Sequence, residues 1–218
     1  MLNIDQTDSD LWHNEYILAQ QYPDFAIIGI DEAGRGSLAG PVAASAVCYL
    51  GCCTKPAVKD SKKLTPKQRE FAYHQIHQSG ALIATSFISP RMIDRMNILN
   101  ATQLAMKKCI DQLLDREELR QHSILFLIDG NQPLTNEYRG IQQTCIKGDS
   151  MYSSIASASI IAKVERDRYM VQMDAVFPCY GFAIHKGYGT KNHYQALQMQ
   201  GCSTFHRKTF LKVKNEGN

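Results

Sequence analysis

The sequence predicts an α/β domain, because short apolar runs of strand length alternate with longer segments of helical character. Residues 25–30 form an unbroken apolar run and residues 123–128 (SILFLI) are apolar after their first serine, and both runs are typical of strands buried on both faces. We expect a single domain over residues 25–210 whose last part, from about residue 175, is helical. Residues 1–24 are predicted to form a helical appendage, and residues 211–218 a mobile tail.

The first half of the chain contains clear element boundaries. Residues 42–50 form a second apolar run that we expect to pair antiparallel with the first strand. Thr65 followed by Pro66 predicts a capped helix start, with the helix running to about residue 79. Residues 81–89 then predict a third strand, and Asn97 a cap before a helix over residues 98–114.

The second half continues with elements rich in small and polar residues. Residues 145–150 predict a short strand followed by a glycine and an acid. Residues 153–170 predict a helix whose many small residues allow close packing on a sheet. Thr190 predicts the cap of a last helix that ends at Gly201.

The composition is that of a soluble globular protein, and no apolar run approaches the ~18 residues of a membrane span. The net charge is +3, and basic residues clearly outnumber acidic ones from Lys147 onward. This asymmetry fits a polyanionic partner or a solvated basic face. The seven cysteines show no zinc-type spacing, which together with the absence of a signal peptide predicts reduced thiols and a cytoplasmic location.

Two predicted strands are followed by acids. Asp31 and Glu32 follow the first strand, and Asp129 follows the run at 123–128. Active sites of open α/β sheets lie at the carboxyl ends of strands, and a buried carboxylate requires a partner. For Asp31 and Glu32 alone, a surface turn is an equally good interpretation; the repetition at Asp129 favours a shared site.

Asp149 is a further acid, shortly before the helix predicted over residues 153–170. A carboxylate is favoured there as a helix cap, so capping and metal binding both stay open for this residue. Four acids without His or Cys favour Mg²⁺ or Mn²⁺ over zinc. The natural hypothesis is phosphodiester hydrolysis with two metal ions about 3.5–4 Å apart, one activating water and the other stabilising the leaving oxygen.

Several segments of the chain resemble the ribonuclease HII family, the type 2 ribonucleases H. The matching segments, in the family's order, are GIDEAGRGSLAGPVAASAV, DSKKLTPKQRE, MNILNATQLAM, IDGN, KGDSMYSSIASASIIAKVERDRYM, YGFAIHKGYGTKNHYQAL and GCSTFHRKTF. The resemblance implies an RNase H-like fold with a central mixed β-sheet flanked by helices and a C-terminal helical extension. It also implies cleavage of RNA in RNA/DNA hybrids and incision 5′ to single ribonucleotides in duplex DNA, in replication and ribonucleotide excision repair.

The resemblance also implies roles for individual residues. The family's catalytic metal ligands fall on Asp31, Glu32, Asp129 and Asp149, with Mn²⁺ or Mg²⁺ as the cofactor. Its loop that reads the 2′-hydroxyl falls on Gly34, Arg35 and Gly36, and its junction-stacking tyrosine on Tyr188. Phosphate contacts are expected from basic residues, with Lys62, Lys147 and Lys186 ranked ahead of Lys63, Lys163, Arg207 and Lys208.

Three rival interpretations remain. Ribonuclease HIII shares the fold, but its members resemble this chain less, because they carry an additional N-terminal domain and typically have lysine at the position of Arg35. A catalytically silent nucleic-acid-binding protein is disfavoured because all four acids are present, and a DNA nuclease of the same broad fold would cut all-DNA duplexes. We expect a monomer that needs no obligate protein partner and no membrane.

Overall fold

The computed structural model describes residues 6–51, 53–59, 61–135 and 138–211, and its centre is one five-stranded mixed sheet. The strands are β1 (Phe25–Ala33), β2 (Val42–Cys48), β3 (Leu82–Ile88), β4 (Ser123–Asp129) and β5 (Ile141–Cys145). Their spatial order is β3-β2-β1-β4-β5. The pairs formed by β1, β2 and β3 are antiparallel, and β4 is parallel to both β1 and β5. The predicted antiparallel pairing of the first two strands is therefore confirmed.

Six helices accompany the sheet in the described residues. They are α1 (Gln6–Gln21), α2 (Pro66–Gln78), α3 (Pro90–Leu114), α4 (Ser153–Val176), α5 (Phe182–His185) and α6 (Lys191–Gln200). One face of the sheet packs against α3, and the other packs against α4 together with α1 and α2. None of the helices in this part of the chain is long and apolar enough to cross a membrane.

Helix α4 lies unusually close to the central strand. A Cβ atom added to Gly29 of β1 would stand 2.2 Å from the carbonyl carbon of Ser154, so only glycine permits this approach. The small residues predicted for this helix are buried, among them Ser154, Ser157 and Ala158. The close contact brings the first turns of α4 beneath the carboxyl ends of β1 and β4.

The predicted helix caps at Thr65, Asn97 and Thr190 are confirmed. Each side-chain oxygen accepts a hydrogen bond from the backbone amide three residues later. Asn97 adopts φ 66° within α3, so the helix is kinked at the position where the sequence predicts a new start.

Three boundaries differ from the prediction. Asp31 and Glu32 lie within β1 instead of after it, because antiparallel pairing with β2 continues to Ala33. The short strand predicted to begin at residue 145 instead ends there, as β5 runs from Ile141 to Cys145, and residues 148–150 form a 3₁₀ turn. Helix α4 continues beyond the predicted end at residue 170 to Val176.

The C-terminal segment packs around the far half of α4 through an aromatic cluster that includes Tyr180, Phe182 and Phe205. An isolated bridge joins Ala39 to His206 and so connects this segment to the loop after β1. The predicted tail, apart from Leu211, lies outside the described residues.

Candidate active site

Asp31 and Asp129 lie side by side at the carboxyl ends of two parallel strands. Ile30 of β1 pairs with Ile128 of β4, and each acid directly follows its paired isoleucine. Asp31 is only 4% exposed, and its Oδ1 accepts a hydrogen bond from the Glu32 amide at 2.7 Å. Burial raises the pKa of Asp31 well above its usual range, and repulsion from Glu32 and Asp129 raises it further. The sequence prediction that strand-end acids converge is therefore confirmed for this pair.

Asp129 connects the strand end to the turn that contains Asp149. Its Oδ1 accepts a hydrogen bond from the Gly148 amide at 2.8 Å. Burial raises the pKa of Asp129, and repulsion from Asp149 adds to the shift. Gly148 fits closely there, since an added Cβ would stand 2.5 Å from Cδ1 of Ile155 and 2.9 Å from Cβ of Cys145. The close fit of this turn against α4 brings the acids of β4 and residue 149 together.

Asp149 is 2% exposed and pairs with a lysine from another segment. Its Oδ2 lies 3.0 Å from Nζ of Lys62. The carboxylate that bonds to the first turn of α4 is that of Glu15, whose Oε2 accepts from the Ser154 amide and the Ser153 hydroxyl, each at 2.7 Å. The capping role considered for Asp149 therefore belongs to Glu15, a residue that the sequence analysis did not single out.

Glu32 faces Arg35, with 3.3 Å between Oε1 and Nη1. Burial raises the pKa of Glu32 although the Arg35 charge opposes the shift. Glu32 also experiences repulsion from Asp129 and attraction to Lys62. These mutual effects place all four acids in one electrostatic cluster.

The cluster has the donor chemistry of a site for hard cations. All of its candidate ligands are carboxylate oxygens, and their repulsion at low exposure calls for a compensating positive charge. Across the residues that the structure describes, no three acidic, His or Cys side chains are already arranged to hold a metal ion. The match between this cluster and a hard cation therefore rests on the negative charge of the cluster and on its carboxylate ligands.

The loop at residues 34–41, which follows β1, begins with a glycine that the fold requires. Gly34 has φ 89°, and an added Cβ would stand 1.9 Å from Nε of Arg166. Gly36 differs, because an added Cβ would meet no atom within 4 Å and its φ lies outside the left-handed region. The fold therefore explains Gly34 and leaves Gly36 open to another explanation.

Tyr188 lies near two cationic side chains. Nζ of Lys163 is 5.3 Å from the centre of its ring, and the guanidinium carbon of Arg166 is 5.4 Å away. Its carbonyl oxygen accepts from Nδ1 of His193, whose Nε2 lies 3.0 Å from Nε2 of His206. Burial lowers the pKa of His206 to about 4 and also lowers the pKa of His193, which favours the neutral form of both rings. The histidine pair supports the backbone of Tyr188.

The predicted phosphate-contacting residues differ in their positions. Lys62 lies at the acid cluster, and Lys147 is exposed just before the 148–150 turn. Nζ of Lys186 bonds to the carbonyl oxygen of Ala183. Arg207 is fully buried, so its prediction as a phosphate contact is wrong. Its guanidinium instead bonds to carbonyl oxygens of the 34–41 loop, which a charge count along the sequence could not reveal.

Sequence reasoning also missed Ser159 and Arg166. The Ser159 hydroxyl bonds to Asp31, which favours the charged form of this acid, and to the hydroxyl of Ser61 at 2.8 Å. The small-residue pattern of α4 contains Ser159 but gave no sign of this contact. Both residues act through contacts distant in sequence.

Comparison with known proteins agrees with this geometry. Residues 28–213 match the family model described as Ribonuclease HII. The ribonuclease HII of Geobacter sulfurreducens is 46% identical over 188 residues, which cover 86% of this chain and 83% of that protein. The ribonuclease HII of Rickettsia bellii is 45% identical over 204 residues, covering 94% and 97% of the two chains.

Solved structures show the same fold. The ribonuclease HII in a complex with PCNA from Archaeoglobus fulgidus aligns with a TM-score of 0.64 at 23% identity, covering 89% of this chain and 98% of that one. A ribonuclease HIII described as Bst-RNase HIII in complex with Mn²⁺ aligns with a TM-score of 0.57 at 20% identity, covering 88% and 66%. The length and level of the sequence matches, together with the shared fold, show that the chain belongs to the ribonuclease HII family.

Proposed function

We propose that this ribonuclease H hydrolyses the RNA strand of RNA/DNA hybrids and incises 5′ to a single ribonucleotide embedded in duplex DNA. The products would be 3′-hydroxyl and 5′-phosphate ends. The observation that carries the proposal is the placement of Asp31, which lies beside Asp129, three residues before the glycine that begins the 34–41 loop. The proposed cutting centre and a backbone able to contact a ribose are thus adjacent, at the end of β1 and in the loop that follows it.

Gly36 supports recognition of the 2′-hydroxyl. This hydroxyl distinguishes RNA from DNA at a single nucleotide, and reading it through the backbone requires a close approach. Since neither packing nor φ explains a glycine at position 36, the space beside it is available to a ligand. Arg35 is half exposed at the same turn and neutralises part of the Glu32 charge.

The four carboxylates of Asp31, Glu32, Asp129 and Asp149 would hold two Mg²⁺ or Mn²⁺ ions. When bound, the ions would supply an activated water molecule and stabilise charge on the leaving 3′-oxygen. The Mn²⁺ complex of the structurally similar ribonuclease HIII supports this choice of metal. The protein supplies fixed positions, because the amides of Glu32 and Gly148 orient the carboxylates of Asp31 and Asp129.

The nucleic acid would contact the surface from Lys62 to Tyr188. Lys62 and Lys147 flank the acid cluster, where a phosphate backbone must lie for cleavage. The ring of Tyr188 would stack on the nucleotide at the junction between ribose and deoxyribose. Lys186 neighbours Tyr188 and contributes positive charge to the same surface.

The test is an assay on a duplex that contains one ribonucleotide, with the position of the cut mapped. We expect incision 5′ to the ribonucleotide with Mg²⁺ or Mn²⁺, together with cleavage of a long hybrid and no cleavage of an all-DNA duplex. Cleavage of the hybrid alone would favour a function like that of ribonuclease HIII. The absence of all cleavage would favour a silent nucleic-acid-binding protein, and cutting of all-DNA duplexes would favour a DNA nuclease.

Cytoplasmic location and a monomer without an obligate protein partner stay predictions. The similar ribonuclease HII from Archaeoglobus fulgidus is seen in a complex with PCNA. A sliding-clamp partner for this chain is therefore a question for binding experiments.

A further inference from the structure

Arg166 of α4 is a buried arginine whose three hydrogen bonds all go to backbone carbonyl oxygens. Its Nε donates to Pro41 at 2.9 Å, and its Nη2 donates to Ala39 at 3.2 Å. Its Nη1 donates to Lys186 at 3.0 Å. One planar guanidinium thus contacts both the 34–41 loop and the turn at residues 186–189 that contains Tyr188.

Two further contacts of Arg166 involve the proposed recognition residues themselves. Its side chain fills the space beside Gly34, where an added Cβ would stand 1.9 Å from Nε. The guanidinium carbon also lies 5.4 Å from the centre of the Tyr188 ring. A fully buried arginine loses its hydration, so carbonyl partners and an aromatic face compensate its charge.

The loop and the turn also touch directly. The amides of Leu38 and Ala39 donate to the carbonyl oxygen of Gly187 at 2.8 and 3.3 Å. Gly187 fits only as glycine, since an added Cβ would stand 2.5 Å from the Ala39 oxygen. Arg166 therefore lies beneath an existing contact and fixes both sides of it.

Arg207 provides an internal comparison. It is equally buried, and its Nε and Nη1 donate to the carbonyl oxygens of Gly40 and Arg35 at 2.9 and 2.8 Å. These two bonds go to the 34–41 loop, whereas Arg166 also bonds to the turn at residues 186–189.

We propose that Arg166 is a positioning residue that makes the 34–41 loop and the 186–189 turn one rigid unit. The inference rests on the proposed function, in which the loop reads the ribose and Tyr188 stacks at the junction. Recognition of a single ribonucleotide then requires that the loop contact the ribose while Tyr188 stacks on the adjacent junction. Arg166 fixes the distance between these two contacts. A long hybrid offers many registers and depends less on this coupling.

The first experiment measures coupling without activity. Hydrogen exchange is followed by mass spectrometry in the full-length wild type, Arg166→Lys and Arg207→Lys, since lysine retains the charge but loses the planar fork. We expect faster exchange in both segments for Arg166→Lys and in the 34–41 loop alone for Arg207→Lys. Unchanged exchange at residues 186–189 in Arg166→Lys overturns the inference. If that variant does not fold, hydrogen exchange in the wild type is used instead. Equal opening free energies for the 34–41 loop and the 186–189 turn support a single rigid unit, and unequal values contradict it.

The second experiment measures selectivity. For Arg166→Lys we expect kcat/KM on the single-ribonucleotide duplex to fall about tenfold more than on the long hybrid, since small misplacements in a site have large kinetic costs. In a Tyr188→Ala background this selective loss should shrink, because the coupled partner is gone. Equal losses on both substrates overturn the inference. A wild type that does not cut the single-ribonucleotide duplex contradicts the proposed function, while the exchange data still decide the coupling.

Discussion

Nζ of Lys62 lies 3.0 Å from Oδ2 of Asp149, joining a side chain that is 75% exposed to one that is 3% exposed. Partial burial alone would lower the pKa of Lys62, but the bond to Asp149 and attraction to Asp31 and Asp129 raise it. The acid cluster therefore contains a cation supplied by the chain itself. This cation stands at the solvent side of the cluster, where a substrate phosphate or a metal ion would arrive.

Lys62→Met should destabilise the metal-free protein modestly. The loss should not exceed about 1 kcal/mol, because the lysine is largely exposed and solvent screens the pair. Added Mg²⁺ should reduce the loss, since bound cations replace the missing charge. Chemical denaturation with and without Mg²⁺ measures both effects.

The matched control for this variant is Lys63→Met, an exposed neighbour. It should leave the metal dependence of stability unchanged. Lys62→Met should also reduce the slope of log affinity against log salt concentration for duplex binding by about 1, the change expected when one phosphate contact is lost. The same stability loss in both variants, at every Mg²⁺ concentration, would contradict the role given to Lys62.

Asp129→Asn should abolish cleavage while preserving the fold and duplex binding. The asparagine carbonyl can still accept the Gly148 amide, so the 148–150 turn should stay in place. The loss of one anionic metal ligand should lower the cleavage rate by more than about 100-fold. This exceeds the loss expected when only a residue that hydrogen-bonds to a metal ligand is replaced. Gel-shift binding and single-turnover cleavage test the two halves of this prediction.

Asp111→Asn is a suitable control, because Asp111 forms a partly exposed ion pair with Lys107 on α3, with 2.7 Å between Oδ2 and Nζ. It should retain full activity. Substantial Mg²⁺-dependent cleavage by Asp129→Asn would remove this residue from the proposed metal site.

Asp31→Asn should stabilise the metal-free protein at neutral pH. Burial and repulsion raise the pKa of Asp31, so the folded state binds its proton more tightly than the unfolded chain. The ionised Asp31 carboxylate therefore destabilises the folded protein, and this effect is largest at pH values above its raised pKa in the folded state. The effect disappears as the pH falls below the pKa of about 4 in the unfolded chain. The gain in Asp31→Asn should be about 1 kcal/mol or more at neutral pH and should vanish in acid.

Urea denaturation of wild type and Asp31→Asn across this pH range measures the difference. Mg²⁺ should stabilise the wild type and leave the variant nearly unaffected. A stability difference independent of pH would mean that shape, and not charge, accounts for it.

Local signals in the sequence were sufficient for much of the fold. Thr65 and Thr190 were identified as helix caps because capping depends on residues within one turn. Asn97 was identified for the same reason, although its helix continues through a kink. Strand β5 was not predicted, because its sequence IQQTC is mostly polar and lacks the apolar run of a buried strand; only Cys145 is buried.

Site residues were predictable where a local sequence pattern marks them. They were not predictable where their position depends on packing between segments distant in sequence. Asp31 and Asp129 were found from the repeated pattern of a buried strand and an acid. The burial of Arg166 and Arg207 depends on contacts with residues more than 120 positions away, which local sequence signals do not reveal. Glu15 caps α4 from a distance of 139 residues, which no local rule could detect.

Gly34→Ala and Gly36→Ala should separate a structural glycine from a recognition glycine. Gly34→Ala places a Cβ 1.9 Å from Nε of Arg166 at a positive φ and should lose about 1–3 kcal/mol of stability. Gly36→Ala meets no neighbouring atom within 4 Å, so its stability should stay within about 0.5 kcal/mol of wild type. Its added methyl group should nevertheless obstruct the ribose and lower incision at a single ribonucleotide about tenfold or more.

Thermal denaturation and incision kinetics, measured on both variants, test this distinction. Binding to an all-DNA duplex serves as the control for Gly36→Ala, because contacts with phosphates should survive when contact with the 2′-hydroxyl is lost. If Gly36→Ala is as stable as wild type and incises at the wild-type rate, the loop does not approach the ribose at that position. If it is stable and selectively impaired, the glycine is explained by the substrate, as the open space beside it implies.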